Sequence, residues 1–226
     1  MEDFWLIKAD ASGNIIWNQT YGGSGYDMLG SFVQTTDGGF ALFGYSNSSS
    51  TGSEDFMIVK ADSSGSMQWL RTYGGTDIDE AFAGIQTTDG GYAITGVTVT
   101  LNGTGNAFLI KTDANGNMSW NQTYTSSDEN VLYSIVQVND GGYALAGYTN
   151  SSSTYQDFWL LKTDENGTVP SPTVSPSPTV VSPSPTVPEF TGIFAVALIG
   201  VCTAIIALVT RRTITLKNRN SVLIKA

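Results

Sequence analysis

The 226-residue sequence contains no histidine and a single cysteine, Cys202. Histidine is the commonest general base and the commonest metal ligand in proteins, so its absence excludes most sites built on either role. A single cysteine excludes an intramolecular disulfide, a thiolate metal site and a Cys–His catalytic pair. Proline is absent from the first 169 residues, and no long apolar run precedes position 191.

Basic residues are scarce in most of the chain. Residues 1–190 contain five Lys or Arg and all twenty Asp and Glu, which gives them a net charge of −15. Such an acidic body repels phosphates, which argues against nucleic acid as its partner. The other five basic residues lie within the last 16 positions: Arg211, Arg212, Lys217, Arg219 and Lys225.

The C-terminal part of the chain differs in composition from the rest. All seven prolines lie in a Pro/Ser/Thr-rich stretch, 168–190, which predicts an extended polyproline stalk or a flexible linker. Residues 191–210 are uncharged and mostly apolar. Twenty residues of helix are about 30 Å long, the thickness of a membrane's hydrocarbon core. Basic residues in the tail, 211–226, place it in the cytoplasm and the acidic body outside the cell.

The segment Val-Pro-Glu-Phe precedes this apolar stretch, and Arg211-Arg212 follows it. The arrangement resembles the PEF-type C-terminal sorting signal of archaeal surface proteins, with Pro188, Glu189 and Phe190 as the motif. The resemblance implies processing by an archaeosortase-like enzyme that cleaves near the motif. Retention as an ordinary single-pass membrane anchor is the alternative, because the tail runs 14 residues past Arg212.

An internal repeat of about 51 residues occupies positions 1–167. Lys8, Lys60, Lys111 and Lys162 recur at intervals of 52, 51 and 51 residues. Each unit holds four runs rich in aromatic and β-branched residues, separated by Gly, Asn, Asp and Ser, which predicts four short strands. The units are predicted at about 3–54, 55–106 and 107–156, with a partial unit at 157–167. The runs DFWLIK, DFMIVK and DFWLLK are almost wholly apolar, as expected of buried strands.

Four strands in about fifty residues match the size of a β-propeller blade. The pattern W-x-x-T-Y-G-G…T-x-D-G-G-Y…G resembles repeats of bacterial and archaeal surface proteins that are grouped with propeller or quinoprotein-like folds. We therefore expect an all-β, propeller-like array of thirteen strands, or about three blades. Closed propellers typically have four or more blades. We expect either that Met1 is an internal start of a longer protein or that the array closes by self-association.

Aspartates recur in two kinds of predicted turn. Asp-x-x-Gly lies between the first and second strand-forming runs of a unit, and Asp-Gly-Gly lies between the third and fourth runs. Both sequences favour tight hairpins. One or two acids in each loop are too few for a calcium loop. The Asp-Gly-Gly positions are Asp37, Asp89 and Asp140, and the Asp-x-x-Gly segments begin at Asp10, Asp62, Asp113 and Asp164.

A third set of acidic residues lies at the start of another predicted strand, next to the Tyr-Gly-Gly segments. If all units present this connection on one face, an acidic, Tyr-lined rim results. We predict this rim as the site for a divalent cation, a cationic ligand or a carbohydrate, with a solvated acidic surface as the alternative. No cofactor is expected, with calcium bound by the rim acids as the single exception considered. The residues are Asp27, Asp77, Asp79, Glu80, Asp128, Glu129, Tyr21 and Tyr73.

Seven Asn-x-Ser/Thr sequons favour an exterior location with glycan-bearing loops. They begin at Asn18, Asn47, Asn102, Asn117, Asn121, Asn150 and Asn166.

No nucleophile elbow, phosphate loop or dinucleotide fingerprint occurs in the sequence, so no catalytic residue is singled out. The pattern predicts a cell-surface, membrane-anchored repeat protein that serves as a binding, adhesion or envelope-structural module. Its partner would be a carbohydrate or a cell-surface protein. The alternative is an extracellular polysaccharide hydrolase or lyase that uses the rim carboxylates.

Overall fold

The computed structural model describes residues 2–48, 53–126, 129–150 and 156–170. The chain divides into two compact units, Met1–Thr173 and Val174–Ala226, and all the described residues belong to the first. The predicted transmembrane helix, the basic tail, the sorting motif, most of the stalk and Asp128 lie outside the described residues. Within those four stretches, no helix has the length and hydropathy needed to cross a membrane.

The described residues form thirteen β-strands and no helix, which confirms the all-β prediction and the strand count. The strands are β1 (Phe4–Ala9), β2 (Ile15–Tyr21), β3 (Asp27–Gln34), β4 (Phe40–Ser46), β5 (Asp55–Ala61), β6 (Met67–Tyr73), β7 (Ile78–Gln86), β8 (Tyr92–Val99), β9 (Gly105–Thr112), β10 (Met118–Tyr124), β11 (Glu129–Gln137), β12 (Tyr143–Asn150) and β13 (Gln156–Lys162).

Strands that are adjacent in sequence pair as antiparallel meanders. We name these sheet 1 (β1-β2), sheet 2 (β3-β4-β5-β6), sheet 3 (β7-β8-β9-β10) and sheet 4 (β11-β12-β13). Sheets 3 and 4 are joined into one seven-stranded hydrogen-bonded sheet by a single parallel pair, Glu129 with Gly105. The corresponding parallel bridges, Glu2 with Tyr26 and Glu54 with Ile78, link sheet 1 to sheet 2 and sheet 2 to sheet 3. None of the sheets closes on itself.

The turns form where the sequence predicted them. In the first Asp-x-x-Gly turn, Asp10 Oδ1 accepts the backbone N–H groups of Ser12 at 2.8 Å and Asn14 at 2.9 Å. Gly13 completes that turn with a φ of 84°, a left-handed conformation that glycine adopts without steric cost. The glycines at the equivalent positions, Gly65, Gly116 and Gly167, have φ values of 83°, 77° and 76°.

Three apolar clusters lie between successive sheets. The first joins sheets 1 and 2 and includes Phe4, Leu42 and Val59. The second joins sheets 2 and 3, and the third joins sheets 3 and 4. Burial of apolar surface between sheets, at roughly 25 cal/mol per Å², is the main favourable term that holds such a stack together.

The runs DFWLIK, DFMIVK and DFWLLK form β1, β5 and β13, which we call the DF-type strands. All three were predicted to be buried, but they differ in burial. All seven residues of β5 are buried, because sheet 2 has a neighbour on each side. In β1 and β13 burial is confined to alternate residues, since sheets 1 and 4 lie at the ends of the stack in the described part of the chain. The prediction is therefore correct for β5, whereas β1 and β13 are buried on one face only.

Candidate functional site

The aspartates of the Asp-Gly-Gly turns each bind a lysine of the neighbouring strand. The Nζ–Oδ2 distances are 2.8 Å for Lys60–Asp37, 2.7 Å for Lys111–Asp89 and 2.8 Å for Lys162–Asp140. We call these three the Asp–Lys pairs. Oδ1 of each aspartate also accepts the N–H of the second following glycine at 3.0 Å, as an Asx turn does. These residues are therefore turn-forming, as predicted, but the recurring lysine partner was missed.

The lysine determines the charge state of each aspartate. Hydrogen bonds from Lys60 and Thr35 hold the pKa of Asp37 well below its usual value. At Asp89, burial raises the pKa, but hydrogen bonds from Lys111, Thr87 and Gly91 outweigh it and lower the pKa to about 2. Each aspartate is consequently ionised at neutral pH and neutralised by its own chain.

Two of the predicted rim acids, Asp27 and Asp79, are buried rather than presented on a rim. Asp27 Oδ2 accepts the N–H of Gly23 at 2.9 Å and the hydroxyl of Ser48 at 2.8 Å. Asp79 accepts the N–H of Gly75 at 3.1 Å and the hydroxyl of Thr98 at 2.6 Å. Both aspartates therefore hold the Tyr-Gly-Gly segment against the strand that follows it.

Each of these aspartates lies beside a second one that the sequence analysis did not single out. A Cβ added to Gly74 would overlap Asp55 Oδ1 and lie 2.7 Å from Asp79 Oδ2. A Cβ on the equivalent Gly22 would overlap Asp27 Oδ2 and lie 2.6 Å from Asp3 Oδ1. We call Asp3–Asp27 and Asp55–Asp79 the acid pairs. Asp3 and Asp55 begin the DF-type strands, and that 52-residue recurrence is the signal that could have found them.

In each acid pair, one buried carboxylate oxygen lacks a hydrogen-bond partner among the described residues. Asp55 is 7% exposed and Asp79 is 5% exposed, and Oδ1 of Asp55 has no hydrogen-bond partner among the described residues. Oδ1 of Asp27 is likewise buried without a partner in those stretches, whereas Asp3 is exposed. Burial and the charge of Asp79 raise the pKa of Asp55. Burial also raises the pKa of Asp79, against the lowering effect of its bonds from Thr98 and Gly75.

The third unit has asparagines at both positions of the acid pair. Asn106 and Asn130 lie 51 residues after Asp55 and Asp79. Asn130 Oδ1 accepts hydrogen bonds from Ser126 and Thr149, including the hydroxyl of Ser126 at 2.7 Å. The amide thus performs the same structural role as Asp79 without a charge. The carboxylate charge at the acid pairs is therefore not needed to build this connection.

An open groove of about 460 Å³ lies beside the second acid pair. It is lined by Asp77, Asp79, Tyr73, Phe108 and other side chains of sheets 2 and 3. The Tyr73 hydroxyl donates to the Gly116 carbonyl at 2.6 Å, so this tyrosine joins sheet 2 to a turn of sheet 3. Charged, aromatic and polar groups therefore meet in one solvent-accessible groove.

The remaining predicted residues are distributed elsewhere. The buried Tyr21 donates its hydroxyl to the Gly65 carbonyl at 2.7 Å, the same inter-sheet role that Tyr73 has. Glu129 accepts the hydroxyl of Tyr148 at 2.9 Å, and Glu80 is half-buried in β7. In the described stretches, no cluster of three or more Asp, Glu, His or Cys side chains is placed to hold a metal ion.

A second cavity, of about 320 Å³, lies between sheets 3 and 4. Asp89, Lys111, Trp120, Tyr143 and Glu165 are among its lining residues. Asp89 and Lys111 neutralise each other there, and the other acid of the lining, Glu165, is exposed to solvent rather than buried as Asp55 and Asp79 are.

Six of the seven predicted sequon asparagines are exposed, and Asn150 is half-buried. The six are Asn18, Asn47, Asn102, Asn117, Asn121 and Asn166.

No protein-family model matches the chain, and no curated protein matches it at a significant level.

Proposed function

We propose that this chain is a cell-surface, membrane-anchored repeat module of β-propeller-like architecture whose acid pairs bind divalent cations. In this role it serves adhesion or envelope structure, with a carbohydrate or a surface protein as its partner. The single observation that carries the proposal is the buried carboxylate oxygen of Asp55, which lies beside Asp79 and has no hydrogen-bond partner in the described part of the chain.

The propeller-like architecture is supported by the way the sheets repeat. Each complete sheet is a four-stranded antiparallel meander, and successive sheets pack face to face over an apolar cluster. Such repetition of blades is the principle of propeller folds. The bridges between successive sheets recur at the same strand positions, which supports a regular rotation from one blade to the next.

The surface location rests on the order of charge and hydropathy along the sequence. An acidic body is followed by a Pro-rich stalk, a 20-residue apolar segment and a basic tail, which is the order of a single-pass anchor with its body outside. Exposed sequon asparagines fit an exterior location. The PEF-like motif at Pro188–Phe190 adds an archaeosortase-like enzyme as the processing partner.

Cation binding follows from the electrostatics of the acid pairs. In the second pair both carboxylates, Asp55 and Asp79, are buried, and they require a counter-charge because an unpaired buried charge is costly and like charges repel. That counter-charge is either a proton or a cation. Carboxylate and carbonyl oxygens with bound water suit Ca²⁺, and dissociation constants of about 10⁻⁴–10⁻³ M are typical of extracellular calcium modules. The Asn106–Asn130 position has no net charge and binds none.

Calcium titration of the full chain in detergent tests this proposal. We expect Ca²⁺ to raise the thermal unfolding temperature of the wild type and to give measurable heat of binding. Asp79→Asn should remove the response of the second acid pair. Glu165→Gln, which removes an exposed acid that belongs to no acid pair, is the matched control and should respond as the wild type does.

The third unit provides a gain-of-function experiment. The double substitution Asn106→Asp with Asn130→Asp installs a third acid pair, so we expect one additional calcium equivalent and a larger thermal shift. A wild type that gains no stability from millimolar Ca²⁺ but gains stability on mild acidification would contradict cation binding, because a shared proton would then be the counter-charge.

A second candidate function is an extracellular hydrolase or lyase that acts on polysaccharide. One observation favours it: two carboxyl groups with raised pKa values lie side by side near an open groove, as in acid–base pairs. Release of reducing or unsaturated sugar ends, abolished by Asp79→Asn in a folded protein, would support this function. Absence of turnover on a panel of acidic and neutral polysaccharides would contradict it.

A further inference from the structure

Among the described residues, sheets 1 and 4 are the outermost sheets, and in each of them one apolar face is covered by a neighbouring sheet and the other is not. In β1, Phe4 and Leu6 point towards sheet 2 and are buried, whereas Trp5 on the opposite face is 58% exposed and Ile7 is also exposed. We call this uncovered surface of sheet 1 the front face. Large apolar side chains grouped on one side of a strand are typical of an interaction surface.

The last strand has the opposite pattern. In β13, Leu161 packs in the cluster between sheets 3 and 4, whereas Phe158 is 80% exposed and Leu160 is 68% exposed. We call this uncovered surface of sheet 4 the back face. Sheet 4 therefore exposes the side that sheet 1 buries, and sheet 1 exposes the side that sheet 4 buries.

The repeat itself identifies what covers each face. Phe56 and Ile58 of β5 occupy the positions of Phe158 and Leu160, and they pack in one cluster with Ile110 of β9. Phe56 also contacts Phe108, with ring centroids 5.5 Å apart in an edge-to-face arrangement. The back face of one sheet is therefore covered by the front face of the next sheet.

The covering residues have counterparts in β1. Phe108 and Ile110 of β9 occupy the positions of Trp5 and Ile7. The internal contact between Phe56 and Phe108 thus corresponds to a contact between Phe158 and Trp5. These two residues are exposed on the first and the last sheet of the described residues, so the contact requires either two chains or these two sheets brought together.

Neighbouring strands extend both faces. Val136 of β11 is exposed, whereas its counterpart Val33 in β3 packs in the cluster between sheets 2 and 3. Ile16 of β2 is exposed, whereas the next residue, Trp17, packs against the cluster between sheets 1 and 2. By contrast, Ile15, Met67 and Met118 hold one shared position and are exposed in all three sheets, so that position does not belong to either face.

We propose that copies of this chain associate head to tail, with the back face of sheet 4 in one copy packed on the front face of sheet 1 in the next. The interface continues the sheet-to-sheet packing inside the chain, with Phe158 against Trp5 as its aromatic centre. Because the two faces differ, the contact is heterologous. It generates a ring if the rotation closes and a filament if it does not.

The association state of the full chain tests this proposal. We expect the wild type in detergent to show a concentration-dependent increase in mass by sedimentation velocity, at a salt concentration that screens its acidic charge. Trp5→Glu and Phe158→Glu should each weaken self-association roughly tenfold or more, because each places a charge in the centre of the interface. Met67→Glu, at an exposed apolar position outside both faces, should associate as the wild type does. Circular dichroism verifies that each variant is folded.

Mixing the two variants distinguishes head-to-tail packing from isologous packing, in which each face binds the same face of another copy. Trp5→Glu retains an intact back face and Phe158→Glu retains an intact front face, so an equimolar mixture can form one native junction per pair. We expect each variant alone to be monomeric and the mixture to form a dimer that grows no further.

Three results would overturn the proposal. The first is a wild type that stays monomeric at high concentration, which would assign the two faces to other occupants. The second is self-association that neither substitution weakens. The third is a mixture that remains monomeric, or a single variant that still dimerises through its intact face. Calcium binding at the acid pairs is measured independently, so failure of either proposal leaves the other in place.

Discussion

The two ends of β5 lie beside aspartates with opposite electrostatics. At one end of β5, Lys60 binds Asp37 and lowers its pKa. At the other end, Asp55 begins the strand, and burial beside Asp79 raises its pKa. The pKa values of these aspartates thus shift in opposite directions, because Asp37 is bound by a lysine whereas Asp55 and Asp79 are buried beside other aspartates.

The two sets of aspartates differ in the roles that we propose for them. The Asp–Lys pairs neutralise themselves within the chain and need no external partner. The Asp55–Asp79 pair is buried without a counter-charge among the described residues, and asparagines replace it in the third unit, where the same connection still forms. The fold does not need this charge, and on that ground we propose ligand binding at this end of the strands and turn stability at the other.

The largest effect that we expect comes from breaking an Asp–Lys pair. Asp89→Ala leaves Lys111 buried without a counter-charge and removes the acceptor of Thr87 and Gly91. Loss of one partner of such a pair costs about 3 kcal/mol. Urea unfolding at pH 7 measures it.

The third unit contains the matched control for that substitution. Lys162 is half exposed, so water can solvate it when Asp140→Ala removes its partner. We expect a clearly smaller loss of stability there. Equal losses at Asp89 and Asp140 would show that burial of the lysine is not the determinant.

A substitution at Gly74 tests the geometry of the acid pair. Gly74→Ala places a methyl group against Asp55 and Asp79, and overpacking of this kind costs about 2 kcal/mol. We expect it also to abolish the calcium response. Gly75→Ala is the control, because a Cβ there has nothing within 4 Å. Equal tolerance of both substitutions in thermal unfolding would mean that the space between the carboxylates is not closely packed.

The hydrogen-bond donors provide a finer comparison between the two ends. Thr98→Val removes the donor to Asp79 Oδ1 and should cost about 1 kcal/mol at neutral pH, because a buried carboxylate loses a partner. Thr87→Val should cost less, since Lys111 and Gly91 still bind Asp89. Denaturant unfolding of both variants measures the difference, and a larger cost at Thr87 would reverse our assignment.

The smallest effect concerns the pH dependence of stability. A raised pKa in the folded state means that the stability contributed by protonated Asp55 and Asp79 is present at low pH and is lost as pH rises through the raised pKa. The lowered pKa values of the Asp–Lys pairs act in the opposite direction, since their contribution is lost as pH falls through the folded pKa.

Asp79→Asn isolates the contribution of the acid pair to that dependence. Relative to this variant, we expect the wild type in the absence of calcium to gain stability as pH falls from neutral. Thermal unfolding across that range measures the difference. A constant difference between the two proteins would mean that the pair does not take up a proton.

Local features were predictable from the sequence because their causes are local. Strand-forming runs and the two kinds of turn depend on residues within a few positions of one another, as Asp10 and Gly13 illustrate. The recurrence of these local patterns every 51 or 52 residues is visible directly in the sequence. Asp27 and Asp79 were predicted from the sequence as rim acids, but both are buried. Their partners Asp3 and Asp55 lie 24 residues away on another sheet, and nothing local to either residue indicates that pairing.

The amino-acid sequence by itself determined an all-β repeat with hairpin turns, an acidic body and the positions of the strands. Only the tertiary structure decided which charges neutralise each other, since Lys60 meets Asp37 through strand pairing while Asp55 meets Asp79 through packing of successive sheets. It also decided that near-identical strands are buried on both faces in β5 and on one face in β1 and β13. The reason is that burial and counter-charge depend on neighbours distant in sequence, whereas strand and turn propensity do not.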